Sequence, residues 1–298
     1  MNGILSHAPA GIPLSERAML ASVNIRQWSG RRLDKRVTDE TNRAHGAESD
    51  AGRYNKLLIA KPHIAELQKI AGKARNDFYW HTLPWLDNGG RILPAAGYDG
   101  FMRDMNQARL LFESKTREFI SGYPAFIEES RIRLNGMFNA DDYPAPADIA
   151  GRFSFDVAIL PFPESADFRV ALPDSDAIRQ QIESRTQELV GAAMRESWSR
   201  IAEVVGAMAE KLAAYKPAAG EQKAENVFRD SLVANLESLV EILPGINIAA
   251  DPNMSKIADL MQSHLCGLSA EKLRSDHALR GETARKAEAI GKAISAFM

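Results

Sequence analysis

From Ile178 to Tyr215 the chain sets apolar side chains at helical spacing with no interruption: Ile178, Ile182, Leu189, Ala193, Ile201, Val205, Met208, Leu212 and Tyr215. Steps of three and four residues keep such positions on one stripe of an α-helix. Pro173-Asp174-Ser175-Asp176 supplies capping residues in front, and Lys216-Pro217 closes the run. The spacing predicts a helix over 176–215, a rod of about 60 Å at 1.5 Å per residue. A rod longer than a domain of this size is wide cannot bury its stripe on a small sheet, so further helices must cover it. Ile201, Val205, Met208 and Leu212 are therefore expected to face a second copy of the chain, because exposed apolar stripes mark interfaces.

The 298 residues are enough to build a sizeable core. A net charge of −2 provides no global field toward nucleic acid or acidic lipid. The single cysteine, Cys266, excludes an internal disulfide and fits a reducing compartment, with an inert, buried thiol expected. No apolar run approaches the ~20 residues needed to span a bilayer. The opening MNGILSHAPAGIPLSER has neither the basic start nor the continuous apolar stretch of a secretory signal, and 1–17 reads as a flexible arm. These features place the chain in the cytoplasm.

Periodicity sets the other elements. Residues 20–28 alternate as a strand, with Ala21, Val23 and Ile25 on one side. The polar run to Gly46 reads as helix or loop, and Tyr54–Ala60 as a short strand or helical turn. Pro62 opens a helix carrying Ile64, Leu67, Ile70 and Ala74. A long helix over 98–122 should kink or break at Pro124 and resume to about Phe138. Phe153, Phe155, Val157 and Ile159 alternate, as do Phe168, Val170 and Leu172, which suggests a β-hairpin across PFPES. Helices near 221–243, 253–265 and 269–297 follow. The fold class expected is α+β: long helices in a hairpin or bundle with a small antiparallel sheet. The domain expectation is an arm over 1–17, a mixed core over 18–216 and a C-terminal helical region over 217–298.

The chain contains no G-x-x-x-x-G-K-[ST], no H-E-x-x-H, no G-x-S-x-G and no cysteine pair for zinc. No two histidines stand at i,i+3 or i,i+4. Glu128-Glu129 would face about 100° apart on a helix and cannot converge on one ion. Asp141-Asp142 reads as a solvated turn. No catalytic, metal or cofactor site is expected, and the chain reads as a non-enzyme.

Two segments are candidates for binding. In 26–36, Arg26, Arg31, Arg32, Lys35 and Arg36 surround Trp28, a set that suits nucleic acid if the indole is free to stack. In WHTLPWLDNGGRILPAAGY, 80–98, Trp85 is either a partner-binding anchor or a core staple, with Pro84 and Pro94 fixing the backbone. Phe78, Tyr79 and Trp80 precede it, Asp87-Asn88-Gly89-Gly90 make a turn, and Arg91 with Asp99 would flank that turn as a charge pair.

That same stretch, with VNIRQWSGRRLDK, DYP at 142–144 and FPES-ADFRV at 162–170, resembles an uncharacterised phage and mobile-element family over about residues 18–215. The resemblance implies a non-catalytic, self-assembling scaffold in a bacterial host's cytoplasm. It also implies a MoxR-type AAA+ ATPase partner and a von Willebrand-type protein nearby. It carries over no catalytic residues. The alternative expectation is an accessory factor in phage DNA recombination or replication, binding nucleic acid through Arg26, Trp28, Arg31, Arg32 and Arg36.

Overall fold

The computed structural model describes residues 13–86, 89–167, 175–218 and 222–297, and the chain is α+β. In order the elements are α1 (Leu14–Arg17), β1 (Ala18–Arg26), β2 (Arg31–Leu33), α2 (Lys35–Ala44) and β3 (Asn55–Leu57). Then come α3 (Lys61–His81), β4 (Leu83–Pro84), β5 (Arg91–Pro94), α4 (Tyr98–Leu134) and β6 (Ser154–Pro161). The last are α5 (Ser175–Ala214), α6 (Ser231–Ile246), α7 (Pro252–His264), α8 (Ala270–Ser275) and α9 (His277–Ile294). One sheet has the order β4-β5-β1-β6, and β2 pairs with β3 in another. Most of the arm 1–17 lies outside the described residues, and Leu14–Arg17 is helical.

The chain forms two units, and neither boundary falls at 216/217. A helical unit takes the residues up to Ser22, Tyr79–Asp99 and everything from Ile159. An aromatic unit takes Val23–Phe78 and Gly100–Ala158. The C-terminal helices are therefore no separate region. They share one core with α5, because the long stripe needs them as cover.

In the helical unit, α5 buries Ala193, Ser197, Trp198, Ile201, Val205, Met208 and Leu212, spaced as one helical stripe. α9 answers with Arg280, Thr283, Ala287, Ile290 and Ile294. α6 adds Leu236, Leu239 and Leu243, and α7 adds Met254, Ile257 and Met261. Asp251 caps α7 by accepting from Asn253 N at 2.9 Å, with Pro252 at the first helical position. The helix expected over 269–297 is two helices, because Asp276 ends α8 and caps α9 through Leu279 N at 2.9 Å. β5 pairs antiparallel with β1, from Ala18↔Pro94 to Ala21↔Arg91, and β4 pairs with β5.

In the aromatic unit, α4 packs Phe101, Phe112, Phe119 and Tyr123 into the core. Contrary to expectation it runs through Pro124 without ending. Proline there removes one backbone donor, and the burial on either side (Phe119 and Tyr123 before it, Ser130 and Leu134 after) holds the helix together. Gly122 gives room in that turn: a Cβ there would stand 2.5 Å from the Phe126 ring, which stacks on His63 at 3.9 Å. The expected hairpin is only half visible. β6 forms and is β1's neighbour in the sheet, whereas the second run, Phe168–Leu172, lies outside the described residues.

A buried charge cluster ties the aromatic unit's small sheet to its turns. Lys56 Nζ on β3 lies 3.1 Å from Asp34 and 2.6 Å from Asp142, and donates to the Met137 carbonyl at 2.8 Å. Arg32 Nε reaches the other oxygen of Asp142 at 3.0 Å. Asp34 also caps α2 through Val37 N at 3.1 Å. Asp142 is thus not a solvated turn residue: its side chain is 9% exposed and faces two cations. The hydrogen bond from Val37 and the Lys56 ammonium outweigh burial and hold the Asp34 carboxyl below its usual range. Burial opposes the Lys56 charge, yet the bonds to Asp142 and Asp34 prevail and raise its pKa.

Candidate functional site

The residues expected at an interface on α5 are not at a surface. Ile201, Val205 and Met208 are 0% exposed and Leu212 is 2%, all within the helical unit's core. The sequence showed the stripe correctly but not its cover, because α6, α7 and α9 come later in the chain and close over it. Trp85 is buried too, with its ring 4.7 Å from that of Phe162. It is a core staple. Trp85→Ala is expected to lower stability by about 3–5 kcal/mol, the cost of emptying a large aromatic site. Denaturant unfolding measures it; a soluble variant with an unchanged midpoint would make the stretch a recognition surface after all.

The rest of that stretch closes the end of α3. Arg200 donates to the Trp80 carbonyl at 3.1 Å and the Thr82 carbonyl at 2.9 Å, and its Nε to Glu196 at 3.1 Å. Arg91 donates to the Thr82 hydroxyl at 2.8 Å and the Thr82 carbonyl at 3.2 Å, and lies 4.8 Å over the Tyr79 ring. Arg91 therefore serves the helix end and does not pair with Asp99. Cations are favoured at a helix C-terminus, where carbonyls lack partners. Burial, and next the Arg200 charge, push the Arg91 pKa down from its ordinary value. Asp87 and Asn88 of the turn lie outside the described residues, and Gly89 has φ of 93°, which glycine adopts freely.

The basic segment keeps its cations at the surface but not its tryptophan free. Trp28 packs edge-on to Tyr123 at 5.6 Å and against Phe119 at 6.2 Å, so its ring is engaged inside the aromatic unit. Arg32 is held by Asp142, and Arg36 by Glu40 and the Gly136 carbonyl at 3.1 Å. Arg26, Arg31, Arg32, Lys35 and Arg36 are all exposed. Sequence spacing brought these cations together; folding points two of them at their own chain. Glu128 and Glu129 also part: Glu128 binds Arg131, and Glu129 meets His63 at 2.6 Å. Cys266 is half-buried, not fully buried, and burial followed by the Glu237 charge raises its thiol pKa, the opposite of what a nucleophile needs. Among the described residues no group of three His, Cys, Asp or Glu side chains is placed to hold a metal, and no helix is long and apolar enough to cross a membrane.

Two features of α5 remain open. Its first part, 175–192, contains no buried residue, whereas every turn from Ala193 to Leu212 contributes one or more. Ile178 and Ile182 are half-buried there, one turn apart. At the other end of the helix, α5 and α9 line a half-open cavity of about 480 Å³. Ala209, Ala213, Gly281 and Ala284 line it with small side chains, and Tyr215 and Arg280 are among its polar walls. Arg280 is 4% exposed, its Nη1 donates to the Leu273 and Arg274 carbonyls at 3.0 and 3.3 Å, and its guanidinium lies 4.9 Å over the Tyr215 ring. A smaller cavity of about 350 Å³ lies beside Pro84, Arg195, Glu196, Trp198 and Phe297. Arg280 could have been noticed in the sequence: it occupies a core-facing slot in the series Arg280, Thr283, Ala287, Ile290, Ile294. Only the fold shows that its charge is buried.

Comparison of the chain with models of known protein families, with curated proteins and with solved structures gave no match.

Proposed function

We propose that the protein is a non-catalytic interaction protein that self-associates through the first part of α5 and works with a AAA+ ATPase of the MoxR type. The observation that carries this reading is the division of α5. One helix supplies the core from Ala193 onward, then extends its leading part, about 27 Å at 1.5 Å per residue, without burying any side chain fully. Leu189 and Val190 lean on the core, and the turns before them have less cover; a short helix with little cover is marginal in water and gains stability from a partner.

Its charges pair within the helix, Asp176 with Arg179 and Arg185 with Glu188, each at 3.0 Å, and can exchange onto a second copy. An antiparallel pairing centred at Gln180-Gln181 sets Asp176 opposite Arg185 and Arg179 beside Glu183, with Ile178 and Ile182 of both copies between them. Such flanking pairs fix orientation in helical pairings. The ATPase part of the proposal is supported by the resemblance in WHTLPWLDNGGRILPAAGY and its companion motifs.

Sedimentation equilibrium at micromolar concentration tests the reading. A mass that is a multiple of 32.8 kDa is expected, falling to that value in Ile178→Glu with Ile182→Glu. Both residues lie outside the buried core, so the double variant should keep the core of the helical unit folded. A MoxR-type ATPase should co-elute with the wild-type protein. A wild-type mass of 32.8 kDa across the range would refute the assembly, and failure to co-elute would refute the ATPase partnership.

A further inference from the structure

Arg280 is a cation that the fold has almost removed from water without giving it an anion. It is 4% exposed and is in no ion pair among the described residues. Its hydrogen bonds use Nη1 alone, to the two carbonyls where α8 ends. The Nε–Nη2 edge remains. That edge presents two parallel donors, the arrangement that binds a carboxylate or phosphate through both oxygens. Nε and Nη2 are open to the cavity that Arg280 lines, so an acceptor can reach them.

The surroundings make a pocket for such a group. The cavity of about 480 Å³ is within the range of small-molecule sites. Small side chains at Ala213, Gly281 and Ala284 keep it open between α5 and α9. It lies along the first turns of α9. Every charged or titratable group at the rim bears on the balance. Arg285 and His277 are exposed on α9, and Glu210 is exposed on α5. Glu288 is already paired with Lys292 at 2.8 Å. Among the described residues Glu210 has no ion pair, and neither of the two lining arginines, Arg280 and Arg285, is in a salt bridge.

We propose that this cavity binds a small oxyanion ligand, whose carboxylate or phosphate takes the open edge of Arg280 while its body lies along the small-residue wall beside Tyr215. A free inorganic anion and an anionic group on an organic body share this chemistry. The site is independent of self-association, since it lies at the opposite end of α5.

Isothermal titration at low salt with four probes tests it: inorganic phosphate, phenyl phosphate, benzoate and the neutral benzamide. Phenyl phosphate and benzoate are expected to bind, with benzamide at least about tenfold weaker, the factor that 1.4 kcal/mol confers. Inorganic phosphate binding as tightly as phenyl phosphate would identify a free anion as the ligand; weaker binding would identify an organic one. Glu210→Gln should tighten the anions and Arg285→Gln weaken them, each by about fivefold, the effect of one unit charge near contact in water. Both residues are exposed, so these variants keep the fold. Arg280→Lys retains the charge and loses the fork, and should abolish the preference for anions over benzamide. Absence of heat from every anion up to about 10 mM, well above the ~1 mM constant of a weak specific site, would overturn the proposal. Affinities that neither Glu210→Gln nor Arg285→Gln moves would overturn it as well.

Discussion

Val205→Glu is expected to abolish the folded helical unit. Val205 is 0% exposed and stands between Ile201 and Met208 in a stripe covered by α9, where Gly291 passes within 4.0 Å of it as measured from an ideal Cβ. A carboxylate there has no cation or donor to meet and either unfolds the core or takes up a proton. The loss should exceed about 4 kcal/mol, the threshold above which single substitutions are exceptional. Circular dichroism should show helicity lost at neutral pH and partly recovered on acidification, as the glutamate is neutralised. A Val205→Glu protein with wild-type helicity and reduced mass would restore the interface that the sequence suggested at this position.

The second large effect is expected at Lys56. Lys56→Ala removes the ammonium from between Asp34 and Asp142 and leaves both carboxylates buried without it, at a cost of about 3–5 kcal/mol. Lys56→Met combined with Asp34→Asn and Asp142→Asn should recover much of that loss, because no charge is then buried unpaired. Chemical denaturation of the two variants measures the difference, and equal midpoints would show that the cluster contributes little. The pH dependence has a fixed sign. Asp34 is held below its ordinary 3.8, so its contribution is present above that value and lost as pH falls through the folded value. Lys56 is held above its ordinary 10.5, so its contribution is present below that value and lost as pH rises through the folded one. The aromatic unit should therefore be most stable between these limits and lose stability toward strong acid and strong base.

Helical periodicity carried most of the architecture that could be read from residues alone. The helix across Ile178 to Leu212, the capped start at Asp251-Pro252 and the strand β1 all form where their patterns suggest. Local rules failed where distant partners decide. Pro124 favours a break, and the packing of Phe119, Tyr123 and Leu134 overrides it. Trp28, Arg32 and Arg36 look free of partners until Tyr123, Asp142 and Gly136 arrive from more than ninety positions away in the chain. Asp276 went unread as a boundary because the apolar pattern continues across it. The candidate sites were least legible of all. Whether Ile201 faces solvent or α9, and whether Arg280 has an anion, depends on which helices close over them, and the stripe itself is silent on that.

The division of α5 is the centre of this account, and amide hydrogen exchange at two protein concentrations tests it most directly. Amides from Ala193 to Leu212 lie under the core and should be protected to the same degree at both concentrations. Amides from Ile178 to Glu188 should exchange quickly in dilute protein and become protected as concentration rises, because their stability comes from a second copy. Protection of 178–188 that does not change with concentration, at a constant mass of 32.8 kDa, would contradict it.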